Sequence, residues 1–213
     1  MNYTNIIEKE NSIILENVKD FNIKQILECG QCFRWERMTD TDYIIVAYRR
    51  VIEVIQEGST VTILNTNMKD FNEIWKQYFD LEVNYGEIKE ELSKDELLRK
   101  SVEFGYGIRI LNQDPFEMLI SFIISARNSI PSIMKTIKKI SERWGDKIEY
   151  KGNIYLDILS WLKKSMESLL ISAHSPLKCI LHFKPLLLRY KIKEISAMIN
   201  SLKPIFINSF MIS

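Results

Sequence analysis

CFRWERMTDTDYIIVAYRRVIEVIQEGSTVTILN, residues 32–65, decides the fold class. CFRWER sets Phe33 and Trp35 against Cys32, Arg34 and Glu36, a two-residue period that predicts a half-buried strand. TDTD at 39–42 is a turn, and DYIIVAYRR, VIEVIQ and STVTILN supply further β-branched runs separated by charges or by Glu57 and Gly58. Together they predict an antiparallel meander. Downstream, Asp70 and Glu73 form a capping box opening a helix whose Phe71, Ile74, Trp75, Tyr78 and Phe79 share one face. The sheet is expected to pack on that helix.

From about Ile88 to Phe104 the pattern is helical and charged, until GYG at 105–107 stops it. In the next segment Asp114 at the cap, Pro115 at the first position and Glu117 at the third agree on a helix start. Met118 to Ile124 is apolar almost all round, predicting a central core helix. Arg127, Asn128 and Ser129 interrupt it. A second helix begins near Pro131, with Ile133, Ile137 and Ile140 inward and Lys135, Lys138 and Lys139 outward, ending at Gly145. Strands followed by helices make the fold class α+β.

The 213 residues are 46% hydrophobic and 27% charged, a globular profile far from disorder. The start, MNYTNIIEKE, has no signal pattern and no run is long enough to cross a bilayer, so a cytoplasmic location without membrane contact is expected. Net charge of +1 neither favours nor excludes nucleic acid. Its distribution is uneven: residues 155–213 carry 8 of the 29 basic side chains but 3 of the 28 acidic ones. All seven glycines lie at or before Gly152. Beyond Tyr155, Leu/Ile clusters alternate with Ser and Lys, broken by Pro176, Pro185 and Pro204.

Three cysteines are too few for a disulfide scaffold. Cys29 and Cys32 have redox spacing, but a redox pair needs a helix N-terminus and this one leads into a strand. A zinc site would have to recruit His174, Cys179 and His182 and lacks a second tight pair. Two buried, inert thiols are the remaining reading. Gly30 between them is more informative, since a glycine at the mouth of a strand permits close approach by a planar ligand or another chain.

GQCFRW at 30–35 and GIRILNQDPFEMLISFIISARN at 107–128 resemble the 8-oxoguanine DNA glycosylases of the helix-hairpin-helix superfamily, over roughly residues 10 to 155. The resemblance implies a twisted antiparallel-sheet domain (1–104) packed on a helical domain (105–213) that diverges or is truncated after about 155, an incomplete helix-hairpin-helix glycosylase domain. It implies base-excision repair, in which damaged duplex DNA is bent, an oxidised purine is flipped into a pocket and a lysine displaces it before the strand is cleaved. The Gly30 carbonyl would accept from the lesion's N7–H and Phe33 would face the base, while Gln31, Arg127, Asn128 and Ser129 would meet DNA. Arg127 and Ser129 depart from the family's asparagine-rich turn, although arginine still bonds a base edge or phosphate. No cofactor, metal or obligate protein partner is implied.

The reactive elements do not transfer. The family's lysine follows a G-x-G hairpin and its aspartate lies about twenty residues later, yet this chain has no glycine after Gly152 and its only later aspartate is Asp157. Lys163, Lys164, Lys178 and Lys184 have no recognisable partner carboxylate, so no catalytic residue is assigned. LRYKIKEISAMIN at 188–200 resembles the helix before the family's hairpin, which predicts a shortened or frame-disrupted member. Such a chain leaves the Met118–Ile124 face poorly covered, predicting aggregation or dimerisation. The alternatives are a DNA-binding module without chemistry and the zinc or redox module.

Overall fold

Strand pairing in the computed structural model, which describes residues 2–157, extends the expected meander on one side. β1 (Asn5–Lys9), β2 (Ser12–Glu16), β3 (Trp35–Arg37), β4 (Asp42–Ala47), β5 (Arg50–Glu57) and β6 (Thr60–Leu64) form one antiparallel sheet in the order β1-β2-β6-β5-β4-β3. The expected runs form β3 to β6. β1 and β2 escaped the sequence reading: Asn11 turns between them at φ 55°, and Ile13 on β2 meets Ile63 on β6.

Alternation assigns each face. Ile13, Leu15, Tyr43, Ile45, Ile52, Val54, Val61 and Ile63 face α1 (Ile23–Glu28) through Ile23, Ile26 and Leu27. Phe71, Trp75, Tyr78 and Phe79 of the following helix complete that core, as expected. On the opposite face Ile44, Val46 and Val51 are covered by Tyr150, Ile148 and Tyr155. These come from a hairpin, β7 (Asp146–Tyr150) and β8 (Asn153–Asp157), that the sequence reading did not anticipate. Burial on both faces explains why YIIVA, residues 43–47, is continuously apolar.

The helix after the sheet starts earlier than expected. It runs through α2 (Met68–Asp70), a π-helical segment (Phe71–Trp75) and α3 (Lys76–Tyr78). Its cap is Asn67, whose side chain accepts from the Asp70 amide, so Asp70 lies one turn inside. The expected helix over 88–104 divides into α4 (Tyr85–Leu92) and α5 (Glu96–Phe104), because the Asp95 carboxylate caps a new start at Leu97 and Leu98.

α6 (Pro115–Ser125) starts at Asp114 as expected, the carboxylate accepting from the Glu117 amide at 3.3 Å. It is not wholly enclosed: Ile123 and Ile124 are buried, whereas Met118 and Phe122 are more than half exposed. α7 (Ile130–Trp144) buries Ile133, Ile137 and Ile140, exposes its lysines and is capped at Gly145. Among the described residues no helix is long and apolar enough to cross a membrane.

Candidate functional site

Gly30 follows directly on the end of α1. Cys29 is the C-cap, and Gly30 takes φ +87°, the left-handed conformation in which helices commonly end on glycine. A Cβ on Gly30 would lie 3.3 Å from Ile130 Cδ1, so the first residue of α7 sits over this backbone. The loop from Gly30 and the turn before α7 are therefore neighbours.

Gln31 fixes the loop from the other side. Its side-chain Nε2 donates to the carbonyls of Ile26 (2.9 Å) and Arg109 (2.8 Å), and its Oε1 accepts from the Leu111 amide at 2.9 Å. Gln113 Nε2 donates to the Gln31 carbonyl at 2.6 Å. The Gln31 amide is thus turned into the protein, where it joins the end of α1 to the segment leading into α6.

Phe33 is half-buried. The alternation expected around it does not separate two faces: Cys32 is buried and the Arg34 side chain is only 6% exposed, whereas Glu36 of the same set is exposed. The regular strand begins at Trp35, so the period-2 pattern does not govern residues 32–34. Arg34 Nη1 lies 3.3 Å from Glu117 Oε1 and 3.5 Å from Asp157 Oδ1, and Nη2 donates to the Leu156 carbonyl. Burial pushes the Glu117 carboxyl above the usual range, Arg34 pulls it back, and the neighbouring Asp157 and Asp114 charges add to the rise. Sequence reasoning took Glu117 only as a helix-start residue and gave Arg34 no partner. A lone carboxylate leading an otherwise apolar helix was the available signal.

Arg109 was missed as well. It is fully buried, donating from Nε to the Asp20 carbonyl (2.8 Å), from Nη1 to Asp80 (2.7 Å) and from Nη2 to Lys19 (2.9 Å). Its guanidinium lies 4.5 Å from the centre of the Tyr85 ring. Gly107, two residues earlier, packs so closely that a Cβ would sit 2.3 Å from Asn22 Cβ, and its carbonyl accepts from the Asn22 amide at 2.9 Å. GIRIL is thus a scaffold under the Gly30 loop.

Arg127, Asn128 and Ser129 are exposed at the turn between α6 and α7. Arg127 has φ 53°. Asn128 Nδ2 donates to the Ile124 carbonyl at 3.3 Å and its Oδ1 accepts from the Ser129 amide at 3.1 Å. Ser129 is the N-cap residue of α7 without a side-chain cap bond. The structure brings this turn to Gly30 through Ile130.

The cysteine pair lies at the wrong end of a helix for redox chemistry. Cys29 is the C-cap of α1, so neither cysteine stands at a helix N-terminus, and burial raises the Cys32 thiol. Only Cys32 is buried; Cys29 is exposed, which corrects the expectation of two buried thiols. Among the described residues no group of three metal-ligating side chains occurs, and His174, Cys179 and His182 lie outside them.

The family profile described as 8-oxoguanine DNA glycosylase, N-terminal domain, matches residues 13–119. The apo form of the 8-oxoguanine glycosylase/lyase from Clostridium acetobutylicum is 55% identical with TM-score 0.71, over 74% of this chain and 55% of that one. The same bacterium's enzyme in complex with double-stranded DNA containing cytosine opposite 8-oxoG is 51% identical, TM-score 0.73, over 79% and 60%. MBOgg1 in complex with a low affinity DNA ligand is 50% identical, TM-score 0.71, over 74% and 54%. The chain thus spans little more than half the length of these relatives.

Proposed function

Since the chain belongs to the 8-oxoguanine DNA glycosylase family, we propose that it binds duplex DNA and recognises an everted oxidised purine through the Gly30 carbonyl and the Phe33 ring. The observation that carries this reading is the seating of Ile130, next to the exposed Arg127–Ser129 turn, on the left-handed Gly30. Lesion contact and strand contact then lie side by side, as base flipping requires. 8-Oxoguanine carries a proton on N7 where guanine has a lone pair, so a carbonyl aimed at that atom favours the lesion. An unmatched polar contact costs about 1–3 kcal/mol, or roughly 5- to 150-fold in affinity.

Arg127 and Asn128 approach phosphate or base edges in this reading, and Ser129 supports them. Gln31 acts by holding Gly30 in place, because its amide is already engaged within the protein. The sheet domain, proposed to span 1–104, and the helices α6 and α7 that follow it supply the two walls, and the protein works wherever the chromosome is, in a bacterial cell the cytoplasm.

Binding without chemistry is the alternative reading, and Asp157 is not assigned a catalytic role. Asp157, the only aspartate after Gly152, is ion-paired with Arg34 and Arg49 and 1% exposed, a structural position. No lysine is assigned as nucleophile, and the late lysines lie outside the described residues. The test is titration of duplexes containing 8-oxoG·C or G·C, paired with borohydride trapping on abasic DNA. Salt-dependent, lesion-selective binding without a covalent adduct supports recognition alone. A trapped adduct or a nicked strand supports the full glycosylase/lyase activity, and equal affinity for both duplexes refutes lesion recognition.

A further inference from the structure

The ion pair buried beneath the Gly30 loop has no part in the contacts proposed above, yet its placement gives it one. Arg34 closes the loop that begins at Gly30, and its partner Glu117 stands in the first turn of α6. α6 is 11 residues long, about 16 Å. Past its far end the chain turns through Arg127, Asn128 and Ser129 and places Ile130 over Gly30. Loop 30–34 is therefore gripped at both ends by one helical unit, and between them Gln31 ties it to Arg109 and Leu111.

We propose that the Arg34–Glu117 pair is a specificity-positioning device, holding the Gly30–Phe33 loop in register with the Arg127–Ser129 turn so that the lesion contact and the strand contact form together. This rests on reading Gly30 as the lesion contact. The pair touches no DNA in this account. Its effect falls on the choice between damaged and undamaged duplex, because a loop free to slide lets its carbonyl meet water in place of a base donor.

A purely structural role predicts a different result. The Arg34 side chain is 6% exposed and that of Glu117 11%, so loss of one partner leaves the other buried with its remaining contacts. Glu117→Gln keeps an oxygen acceptor for Arg34, and Glu117→Ala removes it. A sheet-core truncation, Ile13→Val on β2, supplies a protein destabilised outside the loop and its ion pair.

The unaltered protein and these three variants are titrated with 8-oxoG·C and G·C duplexes well below their melting temperatures. Glu117→Ala is expected to lower the lesion preference about tenfold and Glu117→Gln about threefold, with affinity for undamaged duplex changed less than about twofold. Ile13→Val leaves the preference unchanged. A preference retained in folded Glu117→Ala, or lost equally in Ile13→Val, overturns the proposal.

Hydrogen exchange gives a second reading that needs no DNA. The Leu111 amide, bonded to Gln31, and the Ser129 amide, bonded to Asn128, are expected to exchange faster together in Glu117→Ala, and unchanged rates overturn the proposal. If the unaltered protein shows no lesion preference while both amides loosen together, the reading of Gly30 fails and the mechanical coupling stands.

Discussion

Replacing Arg109 with methionine keeps an unbranched stem of similar length and removes the guanidinium. Three carbonyls, those of Lys19, Asp20 and Asp80, then lose a charged donor at 2.7–2.9 Å. Each such bond contributes about 1.5–3 kcal/mol. Against this stands the return of the guanidinium's desolvation, which burial makes large enough to push its pKa down. Lys19 is exposed and Asp20 and Asp80 are half-buried, so water reaches part of the vacated site and the net loss lies near the lower end of about 3–5 kcal/mol. At about 2–4 °C per kcal/mol, the melting temperature should fall by roughly 6–12 °C. Thermal unfolding followed by calorimetry, with a urea titration to check that the m-value is unchanged, measures it. Arg109→Lys should recover less than half of the loss, since one ammonium cannot span the adjacent Lys19 and Asp20 carbonyls and that of Asp80 together. A cost below about 1 kcal/mol for Arg109→Met would refute the view that this side chain ties the segment before α6 to the sheet domain.

Glu117 gives a pH signature. Its folded-state pKa is raised above the ordinary value of 4.5, so the associated stability is fully present below that value and is lost as pH rises through the folded pKa. Glu117→Gln removes this titration; its melting temperature minus that of the unaltered protein should therefore rise as pH is raised from below 4.5, and a falling difference contradicts the burial argument. Gly107→Ala forces a Cβ to 2.3 Å from Asn22 Cβ and should destabilise by about 1–3 kcal/mol, measured by urea unfolding. Gly58→Ala, with φ +60° but open space around it, should cost only about 1–2 kcal/mol, and a larger effect there than at Gly107 would reverse the packing assignment. Cys29→Ser should leave stability within about 0.5 kcal/mol, whereas Cys32→Ser places a hydroxyl in the core and should cost about 1–3 kcal/mol. Equal effects at the two cysteines would argue for a shared role.

The parts of the fold that could be read from the residues are those whose pattern and burial coincide. DYIIVA, VIEVIQ and TVTIL are β-branched and lie in the sheet, and Ile133, Ile137 and Ile140 keep helical spacing because one face of α7 is buried. Asp114 and Pro115 marked the start of α6 because cap chemistry is local. The hairpin DKIEY/NIYLD was illegible, since half of its strand residues are exposed and it is fixed by Tyr150 and Ile148 packing on the sheet. Asn67 and Asp70 are both competent caps, and the choice between them depends on where the chain leaves β6.

The site was legible only in part, for a related reason. Gly30 stands out because its backbone conformation excludes most other residues, and the exposed turn at Arg127–Ser129 because it interrupts two apolar runs. Arg34 and Arg109 are charges held inside by contacts distant in sequence, with Glu117 and with the carbonyls of residues 19, 20 and 80. A periodicity argument assigns such residues to the surface by default. Gln31 was placed toward DNA by the family resemblance, and its amide turns inward to residues 26, 109 and 111.

The most direct measurement compares the affinity of the unaltered protein for duplexes carrying 8-oxoguanine or 8-bromoguanine opposite cytosine. Both bases bear a substituent at C8, but only the first has a proton on N7 for the Gly30 carbonyl. The account predicts roughly 5- to 150-fold tighter binding to 8-oxoguanine; indistinguishable affinities would contradict it.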